Sequence, residues 1–320
     1  MEIETHKQQF PNPNNTVIRS EMKLNGELIL RDGRKLGYAE YGDSLGIPVF
    51  YFHGGQESRL SSAFMHSEAQ QMGIRIISPE RPGIGLSSFQ PNREFLDWPD
   101  DIEQLADDLN IDQFSIFGLS GGAPHVLACL SKIPDRVINA SIVCGAAPYN
   151  FEGSLDGMWP PVRMLHWLAK KENNRGLKKF LQMDYKQLVH SPMERMKQFQ
   201  NYLPRPDREI MKANPAFGWE FIDGSIESYS QGIEGVAQEW QLYVHDWGFD
   251  LNSIDHPISL WFGTEDKMAP IERANYLNNN LRNSELTLIE NEGHFSLIRN
   301  HLTSILGELL TNSKMGNQND

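Results

Sequence analysis

Phe117-Gly-Leu-Ser-Gly-Gly-Ala-Pro-His-Val-Leu-Ala-Cys-Leu130 carries Gly118, Ser120 and Gly122 in the spacing G-x-S-x-G. The run before it, Gln113-Phe-Ser-Ile-Phe117, is short, apolar and β-prone. The run after it, Ala123 to Lys132, has apolar residues at helical spacing. Strand, sharp turn and helix in that order lift a serine clear of both elements with its hydroxyl exposed. The flanking glycines permit a strained backbone and close approach of neighbouring chain. The helix start leaves backbone N–H groups free beside the serine, where an oxyanion would form. A bare glycine-rich turn would read the same way, so the weight falls on whether the chain supplies partners for Ser120.

The elements on either side repeat the same rhythm. Glu27-Leu-Ile-Leu30 and Lys35 to Tyr41 flank Asp32-Gly33 as a β-hairpin. Ile47-Pro-Val-Phe-Tyr-Phe52 reads as a buried strand running into His53-Gly54-Gly55. A helix is expected over Ser58 to Met72, a strand over Gly73 to Ser78, a helix over Asp97 to Leu109 and a strand over Val137 to Cys144. This alternation means βαβ units: an α/β fold with a mostly parallel central sheet and helices on both faces. From about Tyr149 to Asp246 strands disappear, and helical spacing is interrupted by Pro160, Pro161, Pro192, Pro204, Pro206 and Pro215. This stretch reads as an all-helical insertion. Its tryptophans and methionines, Trp159 and Met158, Met164, Met183, Met193, Met196 and Met211 among them, are expected either to pack helices together or to line an apolar pocket. The α/β rhythm returns with His256 to Phe262, a helix over Pro270 to Leu281, a strand over Glu285 to Glu290 and a closing helix over Phe295 to Leu310. The expected organisation is a flexible arm over 1–22, a discontinuous core over 23–148 and 247–312, a helical cap or lid over 149–246 and a polar tail over 313–320.

At 320 residues the chain is long enough for one large domain with an insertion. Lys and Arg total 29 against 42 Asp and Glu, a net charge of −13 that argues against nucleic acid and anionic membrane surfaces as partners. Cys129 and Cys144 lie in apolar runs and are expected as buried free thiols. The histidines show no metal-ligand spacing, and no phosphate-binding glycine loop is evident, so neither metal nor cofactor is expected. The first residues lack the basic and apolar regions of a secretory signal, and no apolar run reaches membrane-spanning length, so a cytoplasmic location is expected.

A serine hydroxyl needs a base, and the base needs an orienting acid. The candidate base is His294, in Asn291-Glu-Gly-His-Phe295, on a loop past the last strand. The candidate acid is Asp266, in Gly263-Thr-Glu-Asp-Lys-Met-Ala-Pro270, with Glu265 as its rival. Ser120, Asp266 and His294 each follow an expected parallel strand, the edge where ligand chemistry gathers in open α/β sheets. The oxyanion donors are expected to be the N–H groups of Gly121 and Gly55, with Gly54 next, and His53 is expected to brace its loop.

Taken together, His53-Gly54-Gly55, Arg81-Pro-Gly-Ile-Gly-Leu-Ser87, Gly118-Leu-Ser-Gly-Gly122, Gly263-Thr-Glu-Asp266 and Gly293-His294 resemble the α/β-hydrolase superfamily, with a helical cap inserted after the sixth strand. Glu80 stands where relatives often carry Asp, and Gln56 follows where a lipase-type loop has a third Gly. The resemblance implies a serine hydrolase cleaving an ester or related acyl bond of a small-molecule substrate through Ser120, His294 and Asp266. A serine at the nucleophile position speaks against epoxide hydrolase or haloalkane dehalogenase chemistry. The resemblance also admits a ligand-binding sensor that signals through its cap to a partner protein.

Overall fold

The computed structural model describes residues 22–171 and 173–311. The arm expected over 1–22 falls, apart from Met22, outside the described residues, as does the tail over 313–320.

Eight strands form one sheet: β1 (Lys23–Ile29), β2 (Lys35–Gly42), β3 (Ile47–Phe52), β4 (Ile74–Pro79), β5 (Phe114–Leu119), β6 (Val137–Val143), β7 (Ile258–Gly263) and β8 (Ser284–Ile289). Their order is β1-β2-β4-β3-β5-β6-β7-β8. The pairs β1–β2 and β2–β4 are antiparallel, and every pair from β4 onward is parallel. The expected hairpin turns at Gly33, whose φ of 87° belongs to the left-handed region that glycine tolerates. All six residues of β5 are buried, as expected of a central strand covered on both faces.

Parallel pairing puts the chemistry on one edge. Phe52, the last residue of β3, pairs with Gly118 of β5, so His53-Gly54-Gly55 and Ser120 leave the sheet side by side. Phe262 and Gly263 at the end of β7 pair with Leu288 and Ile289 at the end of β8, which brings the following loops together.

Two of the expected helices begin as tighter 3₁₀ turns. Arg59–Met65 is 3₁₀ before the α-helix His66–Gln71, and Ser58 and Ser61 form a capping box at its start. Phe95–Asp97 is likewise 3₁₀ ahead of the helix Trp98–Asp108. The helix Ala123–Lys132 has the expected bounds.

Between β6 and β7 the described residues hold six α-helices: Pro160–Ala169, Arg175–His190, Pro192–Tyr202, Arg205–Ala213, Pro215–Ser228 and Glu234–Val244. The prolines that interrupt the pattern stand at helix starts, where a missing N–H costs nothing. The insertion is docked tightly on the α/β layer. A Cβ at Gly235 would lie 2.2 Å from the Gly83 carbonyl oxygen, and one at Gly224 would lie 1.9 Å from Ser61 Oγ. Cys129 and Cys144 are both buried and free. No helix among the described residues is long and apolar enough to cross a membrane.

Candidate active site

Ser120 occupies the tip of the turn between β5 and the helix Ala123–Lys132. Its φ of 52° is left-handed, a strained setting for a side chain. The glycines around it are held by close approach: a Cβ at Gly122 would lie 2.1 Å from the Phe52 carbonyl oxygen, and one at Gly118 would lie 2.8 Å from the Gly122 backbone. Ser120 is half-buried and opens onto a cavity of about 110 Å³ that His294 also lines.

His294 is buried, and its Nδ1–H donates to Asp266 Oδ2 at 2.7 Å. The other Asp266 oxygen accepts the N–H groups of Met268 and Ala269 at 2.7 and 2.8 Å. The following helix starts only at Ile271, so Asp266 braces its own loop instead of capping a helix. Glu265, the rival acid, is exposed. Burial pushes the His294 pKa down, but the Asp266 charge and hydrogen bond outweigh it and the net shift is upward. His294 is the first residue of the helix His294–Glu308, not a loop residue as expected, because the left-handed turn falls earlier, at Asn291. Cys144 Sγ, an Asp266 oxygen and a His294 ring nitrogen lie within 4.8 Å of one another, donor types that a metal ion can use. The acid–imidazole hydrogen bond already accounts for two of the three.

The expected oxyanion donors are adjacent. A Cβ at Gly121 would lie 2.8 Å from the Gly55 nitrogen. The Gly54 N–H is taken by Glu57 Oε2 at 3.1 Å, which leaves Gly55 as the candidate donor from that loop. Buried groups set the peptide planes. Arg81 donates to the carbonyls of His53 and Gly54 at 2.6 and 2.8 Å. In a trans peptide the N–H points opposite the carbonyl, so holding the Gly54 oxygen aims the Gly55 N–H away from Arg81. The Ala146 N–H holds the Ser120 carbonyl at 2.9 Å in the same way, which sets the Gly121 N–H. His53 is wholly buried, donates to the Gly54 carbonyl at 3.0 Å, and has its pKa pushed far down by burial and by Arg81.

Three charged residues that sequence reasoning missed complete the surroundings. Glu239, on the last insertion helix, pairs with Arg81 Nε at 2.8 Å and with Arg93. It also accepts from the Tyr243 hydroxyl at 2.7 Å, and that hydroxyl lies 3.2 Å from the Gly121 carbonyl oxygen. Asp207, another insertion residue, is wholly buried and accepts the N–H groups of His294, Phe295 and Ser296. Glu57 is buried and lines the cavity. The only sequence signal for Glu239 is its i,i+4 spacing with Tyr243 on an apolar helix face, and Asp207 has none.

The cavity is apolar on the insertion side, with Val162, Leu165, Leu188, Phe199, Phe221 and Ile222 in its wall. Trp159 contributes to that wall. The six insertion methionines do not line it: Met158, Met196 and Met211 are buried in the core, and Met164, Met183 and Met193 are exposed. Helical spacing marks an apolar face without saying what it faces. A polar cluster closes one end, where Gln56 Nε2 donates to the Tyr229 hydroxyl oxygen at 2.6 Å and to Asp184 at 3.2 Å, and Arg195 pairs with Asp184.

A sequence model of the alpha/beta hydrolase fold matches residues 47–300. The chain is similar to the uncharacterized hydrolase YcgS of Bacillus subtilis (strain 168), 23% identical over 281 residues, spanning 85% of this chain and 93% of the relative. Among solved structures, the esterase EaEST from Exiguobacterium antarcticum superposes with a TM-score of 0.67 at 21% identity, covering 89% of this chain and 98% of that one. Bromoperoxidase from Bacillus anthracis superposes with a TM-score of 0.64 at 20% identity, covering 91% and 99%. With the match running from β3 into the closing helix, the chain belongs to the alpha/beta hydrolase fold family.

Proposed function

We propose that this chain is a serine hydrolase that cleaves a carboxylester of a small, partly apolar substrate. The observation that carries the reading is the Asp266–His294 hydrogen bond on the wall of the cavity onto which Ser120 opens. Similarity to proteins named as a hydrolase and an esterase supports the reaction class.

With Nδ1–H committed to Asp266, the His294 Nε2 lone pair is the one left to take a proton. Ser120 Oγ attacks the ester carbonyl as His294 takes its proton. The Gly55 and Gly121 N–H groups receive the oxyanion. Asp266 holds the imidazole tautomer and stabilises the imidazolium. His294 then protonates the leaving alcohol, and water repeats the cycle on the acyl-enzyme. The insertion acts as the cap, and its apolar wall takes the hydrocarbon part of the substrate.

Short-chain p-nitrophenyl esters with the wild type and Ser120→Ala, together with labelling by a fluorophosphonate, test this. The wild type turns over many times and labels at Ser120, and the variant loses roughly 10³-fold or more in kcat/KM. A variant that keeps wild-type turnover overturns the reading. So does a wild type that acylates once without turnover, which would favour the ligand-binding sensor.

A further inference from the structure

Glu57 is a buried carboxyl in the cavity wall that the hydrolytic cycle above does not use. It is 5% exposed and lines the same cavity as Ser120 and His294. One oxygen, Oε2, accepts the Gly54 N–H at 3.1 Å, and Oε1 has no hydrogen-bond partner among the described residues. The carboxyl is therefore clasped one peptide unit before the Gly55 N–H, beside the place where the substrate carbonyl would rest. A buried carboxyl with a spare oxygen at a cavity wall costs stability unless a ligand group completes it.

We propose that Glu57 binds a hydroxyl on the acyl chain, two or three bonds from the scissile carbonyl, so that the preferred substrates are esters of short 2- or 3-hydroxy acids. This rests on the ester-hydrolase reading and narrows it. Burial pushes the Glu57 pKa up to about 7, held from going further by the Gly54 N–H, His294 and Arg81. A hydroxyl can donate to the carboxylate and accept from the acid, so it fits both. An ammonium group would need the anion alone, and a carboxylate would need the acid alone. Gln56 and the Asp184–Arg195 pair lie toward the insertion helices and leave the position beside the oxyanion donors to Glu57.

The test compares ethyl butyrate, ethyl 2-hydroxybutyrate and ethyl 3-hydroxybutyrate. Each kcat/KM is divided by that ester's hydroxide-catalysed rate, so that intrinsic reactivity cancels. The wild type should favour one hydroxy ester by about 10-fold or more, the discrimination expected of a hydrogen bond to a charged group. Glu57→Leu should bring that ratio to about 1 or below. Reading the ratio within each variant cancels any general loss caused by freeing the Gly54 N–H. If the Leu variant does not fold, Glu57→Gln decides: it keeps an oxygen for Gly54, and its ratio should fall by roughly 3-fold or more. A wild-type ratio near 1 for both hydroxy esters overturns the inference and leaves the hydrolase reading standing. A ratio unchanged by the substitutions does the same. Hydrolysis of none of the three esters, or equal hydrolysis by Ser120→Ala, overturns the ester reading and this inference with it.

Discussion

The Asp207 carboxylate accepts the backbone N–H of His294 at 3.0 Å, across 87 positions of sequence. It takes the next two N–H groups as well, at 2.9 and 2.8 Å, and so caps the helix that begins with His294. A Cβ at Gly293 would lie 2.5 Å from that carboxylate, which leaves room only for glycine. Phe295 packs edge-on against Phe199 and Phe221 of the insertion, with ring centroids 5.6 and 5.2 Å away. The insertion therefore holds the imidazole's backbone from two sides.

Asp207→Ala should destabilise the fold by about 3 kcal/mol, because three buried N–H groups lose their acceptor. For a domain of this size that lowers Tm by roughly 4–6 °C in a thermal melt. Residual activity at a temperature where the variant is fully folded should show a lower kcat with KM little changed, the mark of a mis-set base.

His294 should leave its signature in the pH profile. Its pKa is raised above 6.5 in the folded protein, so the rising limb of kcat/KM, where the imidazole becomes neutral, should lie above 6.5. The contribution of the pair to stability runs the other way: it is fully present below 6.5 and is lost as pH rises through the folded-state pKa. Asp266→Asn removes the largest influence that raises the pKa and leaves burial opposed only by the more distant charges of Asp207 and Glu57. The limb should move down, and kcat should fall by about 10⁴-fold through loss of the working tautomer. A limb that stays in place would place the controlling group elsewhere.

Glu239→Gln should weaken the proposed oxyanion donors, Gly55 and Gly121, without touching the cavity. Arg81 loses the carboxylate it shares with Arg93 and with it part of its hold on the His53 and Gly54 carbonyls. The expected result is a drop of about 10-fold in kcat and a parallel loss of affinity for a boronic-acid mimic of the tetrahedral intermediate, with KM near the wild-type value. Equal losses for substrate and mimic would reduce Glu239 to a packing role.

Gly121→Ala should be more damaging than its single methyl suggests. That Cβ would lie 2.3 Å from the Tyr243 hydroxyl and 2.8 Å from the Gly55 nitrogen, so the two amides must separate. A loss of roughly 10²- to 10³-fold in kcat is expected, the scale of one missing oxyanion donor. Steady-state kinetics with a short-chain ester checks it.

The two thiols should be silent in the native state. Both are wholly buried, and burial pushes their pKa values well up. An Ellman titration should find close to none of them before guanidinium and two per chain after it.

The local features of this molecule were legible in the letters. The turn at Ser120 depends on glycines two positions away on either side, and Asp266 and His294 stand just past strands whose apolar runs identify them. The helix Ala123–Lys132 needed only its own spacing, and the insertion's prolines marked where one helical stretch gives way to the next. Each of these signals acts over a few residues, the range within which backbone conformation is set. What the fold alone decided lies across long separations. Asp207 on the His294 backbone, Glu239 between Arg81 and Tyr243, and Glu57 in the cavity wall are buried charges, and a sequence does not say which solvent-free neighbours will satisfy a charge. The cavity wall is aromatic and aliphatic instead of methionine-rich for the same reason. Helical periodicity tells which side of a helix is apolar, and only the packing of the insertion on the sheet determines whether that side meets another helix or the space above Ser120.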